Sequence, residues 1–300
     1  MKTNGKWQGV VVPMVTPVTR EGRLDEAGVE PMVEFLVGAG VDGLFVLGTT
    51  GEGAAVSRED AVRLVRRTAA CVRGRVPVYA GLGDAPEPER DAGTAFLEAG
   101  ACVLVARPPT GLPAEALSDW TERLLGAVEG PLVLYNIPTV SGVSVPLDLL
   151  ERWMGHPRLT GIKDSENDPD RLRALLARFG GRPDFSVFVG VGALMAAGLR
   201  LGADGIVPSV ANLIPEVCVE MWAAARRGDW ARVDACAQRA LEVAALYQNG
   251  RTLGESLAAL KAALAVRGLC GPWVLPPLLP MNAAEIEAVR ATMQSLQLLG

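Results

Sequence analysis

Short apolar runs alternate with longer amphipathic segments along the first three quarters of this chain. Eight of the runs are rich in β-branched residues and recur at intervals of roughly 25 to 35 residues. Because each run is apolar throughout, it predicts a strand that is buried on both faces of a sheet. The predicted strands are GVVVPMVT (9–16), GLFVLG (43–48), VPVYAG (76–81), CVLVA (102–106), LVLYN (132–136), LTGIK (159–163), FSVFVG (185–190) and DGIVPS (204–209).

The segments between these runs carry helix start signals. Asp25, Ser57 and Asp168 stand at N-cap positions, and Pro169 follows in a first helical turn. Buried strands that are each followed by a helix form a parallel sheet, and eight such units predict an α/β fold of the (β/α)8 TIM barrel type. A doubly wound sheet is the alternative, but the chain lacks the G-x-G-x-x-G and G-x-x-x-x-G-K-[ST] motifs that such sheets often carry.

The pattern changes after Gly228, where the strand-like runs stop. Three helix-like segments follow, DWARVDACAQRALEVAALYQ, TLGESLAALKAALAVRG and NAAEIEAVRATMQSLQLL. Between the last two lies CGPWVLPPLLP, which is too rich in proline for a helix and predicts an extended strap. We therefore predict a catalytic barrel over residues 1–228 and a small helical C-terminal domain over residues 229–300.

The composition is that of a globular protein. Apolar residues make up 49% of the chain and charged residues 21%, which argues against disorder. The formal net charge is −5 and the basic residues are scattered, so we expect neither a nucleic acid nor a membrane as a partner. The beginning, MKTNGKWQG, lacks the apolar core of a signal peptide, and the predicted location is cytoplasmic.

Residues that usually bind metals are few and dispersed. The five cysteines contain no C-x-x-C pair, and we expect buried, reduced thiols. The single histidine, His156, precedes a proline in a loop-like context. We therefore expect neither a histidine-rich metal site nor Ser/His/Asp catalysis, so that any chemistry relies on Lys, Tyr, Thr and backbone groups.

The carboxyl ends of the strands hold the active site in a (β/α)8 barrel. Lys163, Tyr135 and the turn at 48–51, Gly-Thr-Thr-Gly, lie at such ends. An amine among apolar walls favours its neutral form and can form an imine with a carbonyl compound. A tyrosine hydroxyl can transfer protons, and a turn that opens onto a helix offers N–H groups and hydroxyls to a carboxylate. Together these groups indicate carbonyl chemistry on a 2-oxo acid.

Each feature also has an ordinary structural explanation. A lysine at a strand end is usually a solvated charge, a tyrosine is usually a core aromatic residue, and GTTGEG is usually a plain turn. Their joint occurrence at the ends of the second, fifth and sixth strands of one barrel favours the functional interpretation.

Three motifs carry a resemblance to a known family: GLFVLGTTGE (43–52), YNIP followed by SG (135–142), and GIKDS (161–165). In this order they resemble the dihydrodipicolinate synthase / N-acetylneuraminate lyase family of class I, pyruvate-dependent aldolases. LGADGIVPSVANL, near the eighth strand, is similar to that family as well. The resemblance spans residue 9 to about residue 282, and it implies a (β/α)8 barrel with a helical C-terminal domain, a homotetramer, and no metal or organic cofactor.

The resemblance also implies catalytic roles. Lys163 would form the Schiff base with the keto carbon of pyruvate or of a larger 2-oxo acid. Tyr135 would be the general acid and base, with Thr49 as its hydroxyl relay.

Further positions would shape the binding pocket. Thr50 would hold the carboxylate through its hydroxyl and amide. Gly48 and Gly51 would keep the turn open for this purpose. Gly190 and Val207 would line the pocket beside the imine.

The chain departs from the family where substrates are selected. Val140 stands where dihydrodipicolinate synthases typically have a carboxylate-binding arginine, and ARPPTG (106–111) replaces a segment that lends a tyrosine across a subunit interface. An unpaired acid group costs about 2 to 4 kcal/mol of binding. The segment 191–193, Val-Gly-Ala, replaces acidic residues that hold the sugar chain in sialic acid lyases. Arg107 is either a substitute anion-binding group or a surface or interface arginine.

These observations favour an imine-forming lyase that joins or splits pyruvate and a small or less polar aldehyde. The 2-keto-3-deoxy-sugar-acid and 4-hydroxy-2-oxoglutarate aldolases are examples of such enzymes. A true dihydrodipicolinate synthase and a 2-oxo sugar acid dehydratase are alternatives that use the same imine. A 2-oxo-acid-binding homologue without turnover is the alternative from another class.

Overall fold

The computed structural model describes residues 6–83 and 89–299. Within them, eight parallel strands close into a barrel in sequence order. The strands are β1 (Gly9–Pro13), β2 (Gly43–Val46), β3 (Val78–Gly81), β4 (Val103–Ala106), β5 (Leu132–Asn136), β6 (Leu159–Asp164), β7 (Ser186–Val189) and β8 (Gly205–Ile206). The predicted TIM barrel is confirmed, with each of the eight apolar runs contributing one strand.

The first and last strands are shorter than predicted. β1 ends at Pro13, and the backbone N–H of Val15 donates to the side chain of Asn212 at 3.2 Å instead of to a neighbouring strand. β8 has only two residues, and Gly205 lies so close to β1 that a Cβ there would be 2.2 Å from the carbonyl oxygen of Gly9. The barrel therefore closes through a short seam at which only glycine fits.

Twelve α-helices lie within the described residues, and none of them is both long and apolar enough to cross a membrane. The side chains of Asp25, Ser57 and Asp168 accept hydrogen bonds from first-turn N–H groups, as predicted. The helices are α1 (Glu26–Gly38), α2 (Arg58–Val72), α3 (Glu89–Glu98), α4 (Leu117–Ala127), α5 (Pro138–Ser141), α6 (Leu147–Trp153), α7 (Pro169–Phe179), α8 (Met195–Arg200), α9 (Pro215–Arg227), α10 (Trp230–Gln248), α11 (Leu253–Val266) and α12 (Ala283–Ser295).

The C-terminal region contains α10, α11 and α12, which correspond to the three predicted helical segments. Capping boxes formed by Thr252 with Glu255 and by Asn282 with Glu285 start α11 and α12. The proline-rich segment between these two helices has no helical structure. We call residues 270–281 the strap. Helix α10 packs along α8 and α9, which belong to the predicted barrel domain. The predicted domain division between residues 228 and 229 therefore stays a prediction.

The buried apolar residues form two clusters. The larger one fills the space between the barrel and its surrounding helices. The smaller one fills the inside of the barrel and includes Phe45, Tyr79, Tyr135, Phe188 and Val207. The inside of the barrel is therefore a packed core that contains several aromatic rings.

The five cysteines are free thiols, but they do not share one environment. Cys71, Cys218 and Cys236 are buried, as expected. Cys102 is exposed and Cys270 is half-buried. The expectation of burial was wrong for Cys102 because this residue precedes β4, where its side chain lies outside the core.

Candidate active site

The amine of Lys163 faces the ring of Tyr135 inside the barrel. Tyr135 of β5 and Lys163 of β6 are partners in the strand register, so both side chains project from the same face of the sheet. The Nζ atom lies 3.9 Å from the centroid of the Tyr135 ring and 5.2 Å from the centroid of the Phe45 ring. Lys163 is only 6% exposed. The strand continues to Asp164, so the lysine lies one residue before the strand end.

The surroundings of Tyr135 favour loss of its proton. Burial alone raises the pKa of this phenol, but the positive charge of Lys163 lowers it. Hydrogen bonding with the side chains of Thr49, Lys163 and Ser165 adds to that effect, so that the pKa lies below its usual range. The sequence analysis assigned no role to Ser165, although it is the last residue of the GIKDS motif.

A buried polar cluster lies on the other side of the sheet from Tyr135 and Lys163. Asn136 and Asp164 directly follow Tyr135 and Lys163, so they point to the opposite face of the sheet. Asp164 Oδ2 accepts hydrogen bonds from Asn136 Nδ2 and from Arg171 Nε, both at 2.9 Å. Burial raises the pKa of Asp164, and Arg171 opposes this effect. The cluster ties the ends of β5 and β6 together and so fixes the position of the tyrosine relative to the lysine.

The Gly-Thr-Thr-Gly turn presents unpaired backbone donors. The N–H groups of Gly51 and Gly53 donate to the Gly48 carbonyl oxygen at 3.0 and 3.1 Å. Within residues 6–83 and 89–299, the N–H groups of Thr49 and Thr50 donate to no acceptor. A turn with two such donors and two hydroxyls is suited to a carboxylate.

The turn does not open directly onto a helix, and that expectation was wrong. Residues 51–55 form further turns, and α2 begins only at Arg58 after the Ser57 cap. Leu47 and Glu52 flank the turn and both have a left-handed backbone, with φ of 60° and 55°. This conformation is strained for side chains other than glycine.

Gly190 and Val207, which were predicted to line the pocket, both lie beside Lys163. Val207 and Lys163 line the same small void inside the barrel. A Cβ on Gly190 would lie 2.0 Å from Ser165 Oγ and 3.0 Å from Lys163 Cε. The absence of a side chain at Gly190 therefore leaves the space that the lysine occupies.

A cavity of about 220 Å³ opens above Tyr135 at the barrel mouth. Gly48, Thr49, Val140 and Arg107 line it, whereas Thr50 and Gly51 lie in the turn without contributing to its wall. Val140 packs against the aromatic cluster of the barrel interior. Arg107 Nη1 donates to the Pro108 carbonyl oxygen at 3.2 Å and to Thr110 Oγ1 at 3.3 Å, so the guanidinium is held near its own loop.

The C-terminal region contributes to the same cavity, which the sequence analysis did not foresee. Leu253 and Leu257 of α11 and Leu278 of the strap line its outer part. The buried Glu52 forms an ion pair with Lys261 of α11 and accepts a hydrogen bond from the N–H of Leu275 at 2.6 Å. One signal in the sequence could have indicated this contribution. Leu253, Leu257 and Lys261 are spaced four residues apart, so they share one helix face.

Lys261 is held in this ion pair at a cost. Burial lowers the pKa of its ammonium group, and the charge of Glu52 opposes that effect. Through Glu52, the loop that carries Thr49 and Thr50 is tied to α11 and to the strap.

Comparisons with known proteins place the chain in a family. The model of the Dihydrodipicolinate synthetase family matches residues 6–296. The 4-hydroxy-tetrahydrodipicolinate synthase of Rhodospirillum centenum is 32% identical over 296 residues, which cover 98% of this chain and 99% of that protein. A probable 2-dehydro-3-deoxy-D-pentonate aldolase of Escherichia coli is 31% identical over 247 residues, which cover 81% of this chain and 82% of that protein.

A solved structure is similar over almost its whole length. YagE of Escherichia coli K12 is described as a prophage protein of the dihydrodipicolinic acid synthase family in complex with pyruvate. It has a TM-score of 0.90 and 28% sequence identity to this chain, over 98% of this chain and 99% of YagE.

Proposed function

Because the chain belongs to the dihydrodipicolinate synthetase family, we propose that it forms or cleaves a carbon–carbon bond between pyruvate and an aldehyde through an imine on Lys163. Members of this family are pyruvate-dependent lyases, and the chain is an enzyme of that class. The carbon–carbon bond that is formed or cleaved, and pyruvate as the 2-oxo acid, are those of the 2-keto-3-deoxy-sugar-acid and 4-hydroxy-2-oxoglutarate aldolases.

The observation that carries the proposal is the placement of the Lys163 amine. It lies 3.9 Å from the centroid of the Tyr135 ring, and within the described residues it has no carboxylate partner. Tyr135 lies within proton-transfer reach of this amine, which as the free base can attack the keto carbon of pyruvate. Thr49 and Thr50 provide N–H groups and hydroxyls for the pyruvate carboxylate.

Cleavage then proceeds by proton transfers at Tyr135. The phenolate accepts the proton of the 4-hydroxyl group, the bond between C3 and C4 breaks, and the aldehyde leaves. The electron pair passes into the imine and gives an enamine, which is protonated at C3. Water hydrolyses the resulting imine, releases pyruvate and restores the Lys163 amine. Thr49 acts as a hydroxyl relay to Tyr135.

The test is reductive trapping. The protein is incubated with pyruvate and borohydride, and the modified peptide is identified by mass spectrometry. The chain has only four lysines, Lys2, Lys6, Lys163 and Lys261, and two of them are paired with Asp204 and Glu52. We expect a pyruvate adduct on Lys163 that disappears when pyruvate or borohydride is left out.

A negative result would change the assignment. If neither pyruvate nor a larger 2-oxo acid modifies Lys163, the non-catalytic binding homologue becomes the better description. If the adduct forms, release of free pyruvate from a 4-hydroxy-2-oxo acid identifies a lyase, whereas loss of water without pyruvate identifies a dehydratase.

A true dihydrodipicolinate synthase is a second candidate. The 32% identity to the Rhodospirillum centenum synthase over 98% of the chain supports it. The apolar Val140 counts against it, because the synthases typically bind a substrate carboxylate with arginine at that position. Formation of 4-hydroxy-tetrahydrodipicolinate at a rate typical of the synthases would favour this second candidate.

We also propose a homotetramer and a cytoplasmic location, as the family resemblance implies. The protomer has a mass of 31.5 kDa, and light scattering should give four times that value. A monomer in solution would contradict the tetramer.

A further inference from the structure

The cavity above Tyr135 has two chemically different ends. Thr49 and Tyr135 form the inner end, where the proposed imine chemistry takes place. The other end is formed by side chains from β4, from α5, from α11 and from the strap. These wall residues are Val105, Val140, Leu253, Leu257, Pro277 and Leu278. All six are apolar, and we call this end the apolar chamber.

Few polar groups remain for a hydroxylated substrate. Glu52 borders the cavity, but its carboxylate is buried, paired with Lys261 and bonded to the N–H of Leu275. Arg107 also borders the cavity, where its Nη1 atom donates to the Pro108 carbonyl oxygen and to Thr110 Oγ1 of its own loop. A polyol chain in the chamber would lose its hydrogen bonds to water without finding replacements, which costs binding free energy.

The chamber walls are held in position by the ion pair. Leu253, Leu257 and Lys261 recur every four residues and so lie on one face of α11. The bond between Lys261 and Glu52 fixes the rotation of the helix, so that both leucines face the cavity. The same carboxylate anchors the strap through Leu275. The apolar wall is therefore a fixed part of the site.

We infer that the chamber binds the side group of the aldehyde partner, and that this group is a branched aliphatic or aromatic hydrocarbon. The inference rests on the proposed function, because the imine on Lys163 places the new bond at the inner end of the cavity. The substrate of cleavage is then a 4-hydroxy-2-oxo acid with an apolar group on C4. Scission between C3 and C4 gives pyruvate and the apolar aldehyde, and the proton of the 4-hydroxyl group passes to Tyr135.

The first test compares aldehydes in the condensation direction with pyruvate. Benzaldehyde and 2-methylpropanal should react with kcat/KM at least about 10-fold higher than glyceraldehyde or glyoxylate, because apolar pockets discriminate by roughly that factor per buried group. An equal or higher kcat/KM for glyceraldehyde or glyoxylate would overturn the inference. So would a failure to turn over any apolar aldehyde.

Reductive trapping separates this inference from the function on which it rests. A pyruvate adduct on Lys163 combined with a preference for hydroxylated aldehydes refutes the apolar chamber and leaves the lyase intact. The absence of any adduct refutes the proposed function itself.

A matched pair of leucine variants tests the chamber directly. Leu253 is 51% exposed and lines the cavity, whereas Leu201 is 44% exposed and does not. Leu253→Asn should lower kcat/KM for benzaldehyde about 5-fold and leave KM for pyruvate unchanged, whereas Leu201→Asn should change neither. Both substitutions are at exposed positions, so the fold should tolerate them. Equal effects of the two substitutions on benzaldehyde turnover would contradict the inference.

Discussion

Two buried lysines of this barrel have opposite surroundings. Lys163 is 6% exposed and faces the rings of Tyr135 and Phe45. Lys261 is 1% exposed and forms an ion pair with the buried carboxylate of Glu52. Both side chains have left water, but only Lys261 of these two has a carboxylate to compensate for the lost hydration.

The difference fits the proposed chemical role of Lys163 and a structural role of Lys261. A carboxylate partner holds Lys261 as a cation and joins two parts of the chain. Lys163 has aromatic faces and hydroxyl groups around it, which bind a cation less strongly and leave the amine accessible to a carbonyl compound. Replacing each lysine should therefore affect different properties of the protein.

The largest expected effect is on turnover in Lys163→Ala. Loss of the imine path should lower kcat by about 10⁴-fold or more, whereas the free energy of unfolding should change little because no carboxylate loses its partner. Pyruvate release from a 4-hydroxy-2-oxo acid measures the first quantity, and urea unfolding measures the second. Near-normal turnover in this variant would remove Lys163 from the mechanism.

Tyr135→Phe should lower kcat by about 10² to 10⁴, because the hydroxyl that transfers the proton is lost. In the unmodified enzyme, cleavage should rise with pH until the lowered pKa of Tyr135 is passed, since only the phenolate can accept the proton. The variant should lack this dependence.

Tyr247 provides the control for this substitution. It is also buried, but its hydroxyl is bonded to Ser209 at 2.7 Å, and burial raises its pKa above the usual range. Tyr247→Phe should leave both kcat and the pH profile unchanged. Similar losses in the two variants would indicate a general effect of removing a buried hydroxyl.

Gly190→Ala tests whether Lys163 needs the empty space beside it. The added Cβ would meet Ser165 Oγ and Lys163 Cε, so the amine should shift and kcat/KM for pyruvate should fall about 10- to 100-fold. Gly181→Ala is the control, because a Cβ there meets nothing within 4 Å. An active Gly190→Ala enzyme with normal trapping of pyruvate would show that the lysine has other room to move.

The smallest effect on turnover, and the largest effect on stability, should come from Lys261→Met. It leaves the buried Glu52 without its cationic partner and should lower the free energy of unfolding by about 3 to 5 kcal/mol. Turnover should fall only a few-fold, through displacement of α11. The double variant Glu52→Gln with Lys261→Met should recover most of the stability in urea unfolding, and no recovery would show that the ion pair is not the cause.

The strands could be predicted from sequence because burial on both faces leaves a continuous apolar run. Two of these runs pointed to Tyr135 and Lys163, because each is a polar residue near the end of its apolar segment. The extent of β8 could not be predicted, because it depends on how closely Gly205 approaches Gly9 of β1. A close contact between residues far apart in the chain produces no periodic pattern in the sequence.

The outer part of the site was missed for a related reason. Leu253 and Leu257 have the spacing of ordinary helix residues, and only the position of α11 over the barrel mouth makes them part of the cavity. Glu52 was quoted within GTTGE but received no role, because its partner lies more than 200 residues further along the chain. Ser165 and Phe45 were missed because their contacts with the reactive pair depend on side-chain direction.

The contribution of α11 and the strap to the cavity has a consequence for how such an enzyme diversifies. The residues proposed for bond making lie between positions 48 and 207, whereas much of the outer wall lies between positions 253 and 278. Selection can therefore change the outer wall by substitutions in the last quarter of the gene while the proposed catalytic residues stay the same, as long as Lys261 continues to pair with Glu52. An ancestral enzyme that used one aldehyde as its substrate could give rise to enzymes that use other aldehydes, without an inactive intermediate.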